Sequence, residues 1–152
     1  MEYLNLSLAF ILSILCARTD LKDMIIPNKY TYPALVIGIV LCLATGEFDY
    51  LFGGLAVFAT YLIMCLFFSV GMGDLKLATA LAFFLGAQPV IYGTLVVSAG
   101  MCVYGVIKTF LNTGRLSAVF GVLIGKFPAG AVPFGAFMGP ASVMSALVML
   151  KM

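Results

Sequence analysis

Gly71-Met72-Gly73-Asp74-Leu75-Lys76 sets a carboxylate in a glycine-rich turn, between an apolar run that ends at Val70 and another that begins at Leu77. A charge carried to membrane depth costs about 3 kcal/mol or more, and such a residue is a functional candidate by default. The chain has only six acidic side chains, Glu2, Asp20, Asp23, Glu47, Asp49 and Asp74. Asp74 is the one most deeply set in apolar sequence.

The 152 residues are 64% hydrophobic and 9% charged, with mean hydropathy +1.19. Soluble domains run near half apolar and about a quarter charged, so the composition is that of a polytopic, all-α membrane protein with the lipid bilayer as its solvent. The net charge of +2 is small, and no basic run is interleaved with aromatic residues as in single-strand binders. No nucleic-acid partner is expected. There is no histidine, which removes Ser-His-Asp triads and most zinc sites. Cys16, Cys42, Cys65 and Cys102 stand in different apolar runs without a CxxC pair, so each reads as a small buried apolar residue. Neither metal nor cofactor is expected.

A spanning helix needs about 20 mostly apolar residues. Met1 to Ala17 is the first candidate. Its start carries Glu2 and no basic residue, so it reads as a retained helix rather than a signal peptide. Arg18 to Lys29 is a polar connection punctuated by Pro27-Asn28. Tyr30 to Gly46 is the second run, Glu47-Phe48-Asp49 an acidic loop, and Tyr50 to Val70 the third run. Leu77 to Ile107 is uncharged throughout, too long for one span, and Gly86-Ala87-Gln88-Pro89 breaks it. The fourth helix, about Asp74 to Leu85, is short, which sets Asp74 slightly inside the hydrocarbon boundary. Val90 to Leu111 is the fifth run. Asn112 to Phe127 is mixed and suits the interface. Pro128 to Leu150 is the last run, and its Gly/Pro-rich first part predicts irregular backbone packed against the functional region before a sixth helix.

Basic residues in short loops set orientation. Six spans put Arg18, Lys22, Lys29, Lys76, Lys108, Arg115 and Lys126 on one side and only Lys151 on the other. The first side is therefore expected to be cytoplasmic, with both termini outside, in a multi-pass protein of the cell's inner or plasma membrane. Asp20, Asp23 and Asp74 share the cytoplasmic face.

Two carboxylates sharing a site cannot both ionise cheaply, so one keeps a proton. Such a pair activates water and protonates a leaving amine without histidine or metal. Asp74 and one of Asp20 and Asp23 are candidates for it. The helix dipole favours charge on Asp74 at a helix start, which assigns the shared proton to Asp20, read as lying beyond the end of the first helix. Plainer explanations exist: a solvated loop for Asp20 and Asp23, a helix cap for Asp74, and a snorkelling interfacial side chain for Lys76.

Three segments in order resemble the type IV prepilin peptidase family, membrane aspartic proteases of the GxGD kind. Asp20-Leu21-Lys22-Asp23-Met24-Ile25-Ile26-Pro27-Asn28 resembles an aspartate followed seven residues later by Pro-Asn. Gly71 to Leu77 is similar to GxGDxKL, and Pro133-Phe134-Gly135-Ala136 is similar to a PFGP-like segment, with Ala136 in place of proline. The resemblance implies that Asp20 and Asp74 are the catalytic pair and that Asp23 is a neighbour. It further implies cleavage of a short basic leader from prepilin-like proteins at the cytoplasmic membrane face. The cysteine-rich methyltransferase region of bifunctional members has no counterpart here, so a peptidase-only form is implied. Gly71, Gly73, Pro133, Phe134 and Gly135 are expected to make room for an extended substrate backbone, with Pro27, Asn28 and Lys76 in support.

Two rivals remain at this level. A presenilin-like protease also uses GxGD, but pairs Tyr-Asp with Pro-Ala-Leu, whereas here Thr19 precedes Asp20. A small transporter or channel subunit would use Asp74 alone for a proton or cation.

Overall fold

The computed structural model describes residues 2–67, 71–113 and 134–151. Among these the chain forms six helices: α1 (Glu2–Asp23), α2 (Asn28–Thr45), α3 (Phe48–Phe67), α4 (Met72–Leu85), α5 (Ala87–Thr113) and α6 (Phe134–Met149). Three stretches, Tyr3–Asp23, Phe48–Phe67 and Ala87–Lys108, are long and apolar enough to cross a membrane, and Phe134–Met149 is a shorter apolar helix. Among the described residues the chain is all-helical, and its apolar helices are those of a multi-pass membrane protein.

The boundaries correct the sequence reading in instructive places. Arg18–Asp23 was expected as loop but completes α1, because ARTDLKD contains no glycine or proline to stop a helix. The stop comes at Met24, which adopts a left-handed φ of 52°, a conformation uncommon outside glycine. Asp20 is therefore inside a helix rather than beyond its end. The acidic loop shrinks to a turn, since α3 starts at Phe48 and takes Asp49 into its first turn, where negative charge is favoured. The expected break at Gly86–Pro89 narrows to Gly86 alone, with φ of 84°. Pro89 falls in the first turn of α5, where a missing N–H costs no helical bond. Regular helix resumes already at Phe134, ahead of Gly135, Gly139 and Pro140. Asn112 and Thr113, expected to open the interfacial segment, instead finish α5; the rest of that segment, through Phe127, and the start of the last run at Pro128 lie outside the described residues.

α4 is the axis of the molecule. It touches all five other helices, and every residue from Leu77 to Phe84 is buried. Such packing requires small residues on the neighbours, as is common between membrane helices. A side chain on Gly38 of α2 would begin 2.7 Å from Phe83 Cβ, and Gly54 of α3 faces the ring of the same phenylalanine. Cys42 Sγ lies 3.4 Å from the Phe83 carbonyl. α6 closes against α1 and α5 in the same manner, with Gly139 on Ser13 and Gly93 on Ser142.

Large apolar side chains point outward instead. Phe52 is 65% exposed and Val96 67%, as a lipid-facing surface requires. Several inner hydroxyls are satisfied within their own helix, while Thr31 Oγ1 of α2 is buried without a hydrogen-bond partner among the described residues. Ser13, Thr79 and Ser142 hydroxyls donate to carbonyls one turn back, at 2.7–2.8 Å. Tyr61 of α3 joins Thr94 Oγ1 of α5 at 2.6 Å and Met138 Sδ of α6 at 3.2 Å. Of the cysteines, Cys16 and Cys42 are buried as expected, Cys65 is half-buried, and Cys102 is exposed on α5, so it does not serve as core packing. Gly38→Val should cost about 1–3 kcal/mol through overpacking against Phe83. A thermal unfolding midpoint in detergent that matches the parent protein would contradict this packing.

Candidate functional site

The site lies where the end of α1 and the starts of α2, α4 and α6 meet. α4 has 14 residues and is therefore about 21 Å long. A hydrocarbon core of about 30 Å leaves at least one end of such a helix below the surface if it crosses. Gly71 takes the N-cap position with extended backbone, so Asp74 is not the cap but the third residue of the first turn. Its carboxylate folds back, with Oδ2 3.1 Å from where a side chain on Gly71 would begin.

Asp20 comes to the same place from α1 and is buried, 6% exposed. Ala136 donates its backbone N–H to Asp20 Oδ2 at 2.8 Å. First-turn N–H groups have no partner within their own helix, so α6 supplies this donor at no cost to its own hydrogen bonds. The point where a Gly135 side chain would begin is 3.0 Å from Asp74 Oδ1 and 3.3 Å from Asp20 Oδ2. The two carboxylate oxygens can be no further apart than those lengths laid end to end. Two residues far apart in sequence, on different helices, thus converge on a third helix that has no side chain there.

Ile26, in the connection between α1 and α2, locks the three helices together. It is buried. Its Cβ lies 3.1 Å from the Cβ position of Gly73, and its Cδ1 2.5 Å from that of Gly135. Sequence reading passed over Ile26 as part of a polar connection. The apolar Met24-Ile25-Ile26 between charged flanks was the available signal. The Ala136 N–H was also missed, and no residue-type pattern could have shown it.

The remaining expected residues sort clearly. Lys76 does not reach a carboxylate among the contacts described. Its Nζ donates to Asn28 Oδ1 at 2.8 Å and to Tyr32 Oη at 3.2 Å, and stands 4.7 Å from the centre of the Tyr32 ring. The lysine two residues after Asp74 and the asparagine after Pro27 are therefore one contact, tying α4 to α2. Pro27 precedes α2 in extended conformation and accepts the Tyr30 N–H through its carbonyl at 3.1 Å. Asp23 is exposed at the end of α1, three residues beyond Asp20. Phe134 packs half-buried on the core. Pro133 lies outside the described residues.

Comparison with known proteins gives a consistent result. The family described as the type IV leader peptidase family matches residues 7–106, a stretch that holds both Asp20 and Asp74. The prepilin peptidase EppA of Methanocaldococcus jannaschii is 45% identical over 75 residues, which make up 48% of this chain and 21% of that protein's length. No solved structure matches the chain.

A double-mutant cycle on Lys76→Met and Asn28→Ala should give a coupling of about 1 kcal/mol in unfolding free energy. Strict additivity of the two single effects would show that the contact does not join the helices.

Proposed function

Because the chain belongs to the type IV leader peptidase family, we propose that it is a membrane-embedded aspartic endopeptidase that removes the short basic leader from prepilin-like precursors. Asp20 and Asp74 are the working pair. The observation that carries this reading is their convergence on Gly135 at one end of the bundle. A transporter using Asp74 alone has no use for a second carboxylate held at the same place by a dedicated N–H.

In this reading a water lies between the two carboxylates. The ionised partner takes a proton from the water as it attacks the scissile carbonyl, and the protonated partner gives its proton to the carbonyl oxygen. The proton taken from water then passes to the departing amine. Asp20 Oδ2 accepts the Ala136 N–H, so that oxygen does not carry the shared proton. In this reading the shared proton sits on Asp20 Oδ1 or on Asp74.

The seven basic residues on one side of the six-span topology support a site facing the cytoplasm. A precursor with its apolar helix in the bilayer and its leader in the cytoplasm would bring its scissile bond to this depth. Exposed Gly71, at the start of α4, leaves room for its backbone, whereas Gly73 is packed against Ile26.

Detergent-solubilised protein with a synthetic leader-plus-helix substrate tests the proposal. Asp20→Asn and Asp74→Asn should each lower turnover by about 10³-fold or more while the protein still inserts and folds. Appreciable turnover in either variant would sink the pair. The rate of the parent should fall on both sides of its optimum, because acid protonates both carboxylates and base ionises both. A profile that rises with pH to a plateau would contradict a shared proton.

A further inference from the structure

We propose that Gly135, in the first turn of α6, positions the aspartate pair by setting the gap between the two carboxylates. The proposal rests on the reading of Asp20 and Asp74 as the catalytic pair, and it gives the late Gly/Pro-rich segment a role other than lining a substrate groove.

The constraint is one of space. The Gly135 Cβ position is 3.0 Å from Asp74 Oδ1, 3.3 Å from Asp20 Oδ2 and 2.5 Å from Ile26 Cδ1. All three are shorter than the optimal non-bonded separation of about 3.5–4.0 Å. A methyl group there would stand between the carboxylates, in the space where a water must be held by both. The next residue contributes the only hydrogen bond to either carboxylate described in the structure, Ala136 N–H to Asp20 Oδ2 at 2.8 Å. Gly135 touches neither substrate nor water in this account. It acts through the carboxylates.

Steric crowding of Ile26 must be separated from crowding of the aspartates. Ile26→Val removes Cδ1, the atom nearest the Gly135 Cβ position, and leaves the carboxylates in place. The reference is therefore the Ile26→Val protein, and the test is Gly135→Ala added to it. Cleavage of the synthetic leader-plus-helix substrate should lose about 10²-fold in kcat, as expected for a misplacement near 1 Å, with KM and unfolding midpoint unchanged. Cleavage at the Ile26→Val rate would overturn the proposal. A loss confined to KM would also overturn it and return Gly135 to the substrate groove.

Gly135→Ala in the parent protein, with Ile26 intact, supplies a second arm and should lose at least as much kcat as the double variant. Parent kcat in Gly135→Ala would overturn the positioning role even if the double variant fails to fold. Failure of the catalytic pair itself reads differently, as turnover in Asp20→Asn or Asp74→Asn.

Discussion

Burial of α4 on every side is the constraint from which the architecture follows. A helix of 14 residues in contact with five others is enclosed by protein from Leu77 to Phe84, so its depth is set by packing and not by its own length. Phe83, seated against Gly38 and Gly54, fixes that depth. Asp74, about two and a half turns below Phe83 on the same helix, is then delivered to a defined level. A longer fourth helix would carry the carboxylate toward bulk water, where it would need no partner.

The second carboxylate arrives by a different device. α1 runs on through its polar end to Asp23, and the left-handed Met24 stops it. The chain then turns so that Ile26 enters the space between Gly73 and Gly135. One apolar side chain thereby binds α4 and α6 to the end of α1. The Lys76–Asn28 contact braces the same turn from the α2 side. The residues that fix this site are mostly uncharged, and the two that carry the proposed chemistry are positioned by glycine, isoleucine and a backbone amide.

Much of this was legible in the sequence. Long apolar runs gave six helices, because lipid leaves few other structures for such a chain. The scarcity of carboxylates singled out Asp74, and the resemblance to a family whose aspartate stands seven residues before Pro-Asn singled out Asp20 over Asp23. What could not be read has physical reasons. The end of α1 was misplaced because charge was taken as a mark of loop, whereas ARTDLKD has ordinary helix propensity and no breaker. The link between Lys76 and Asn28 depends on α2 and α4 lying side by side, which local pattern does not encode. The Ala136 donor is a main-chain group, present at every residue but proline, and only the fold makes it particular.

The central claim is that Asp20 and Asp74 meet across Gly135. It is tested most directly by placing cysteines at 20 and 74 in a protein whose Cys16, Cys42, Cys65 and Cys102 have been replaced, and treating membranes with the shortest bifunctional thiol reagents. The account predicts efficient cross-linking within one chain, with each single cysteine reacting only singly. Cysteines that both label readily with monofunctional reagents, yet never join, would contradict it.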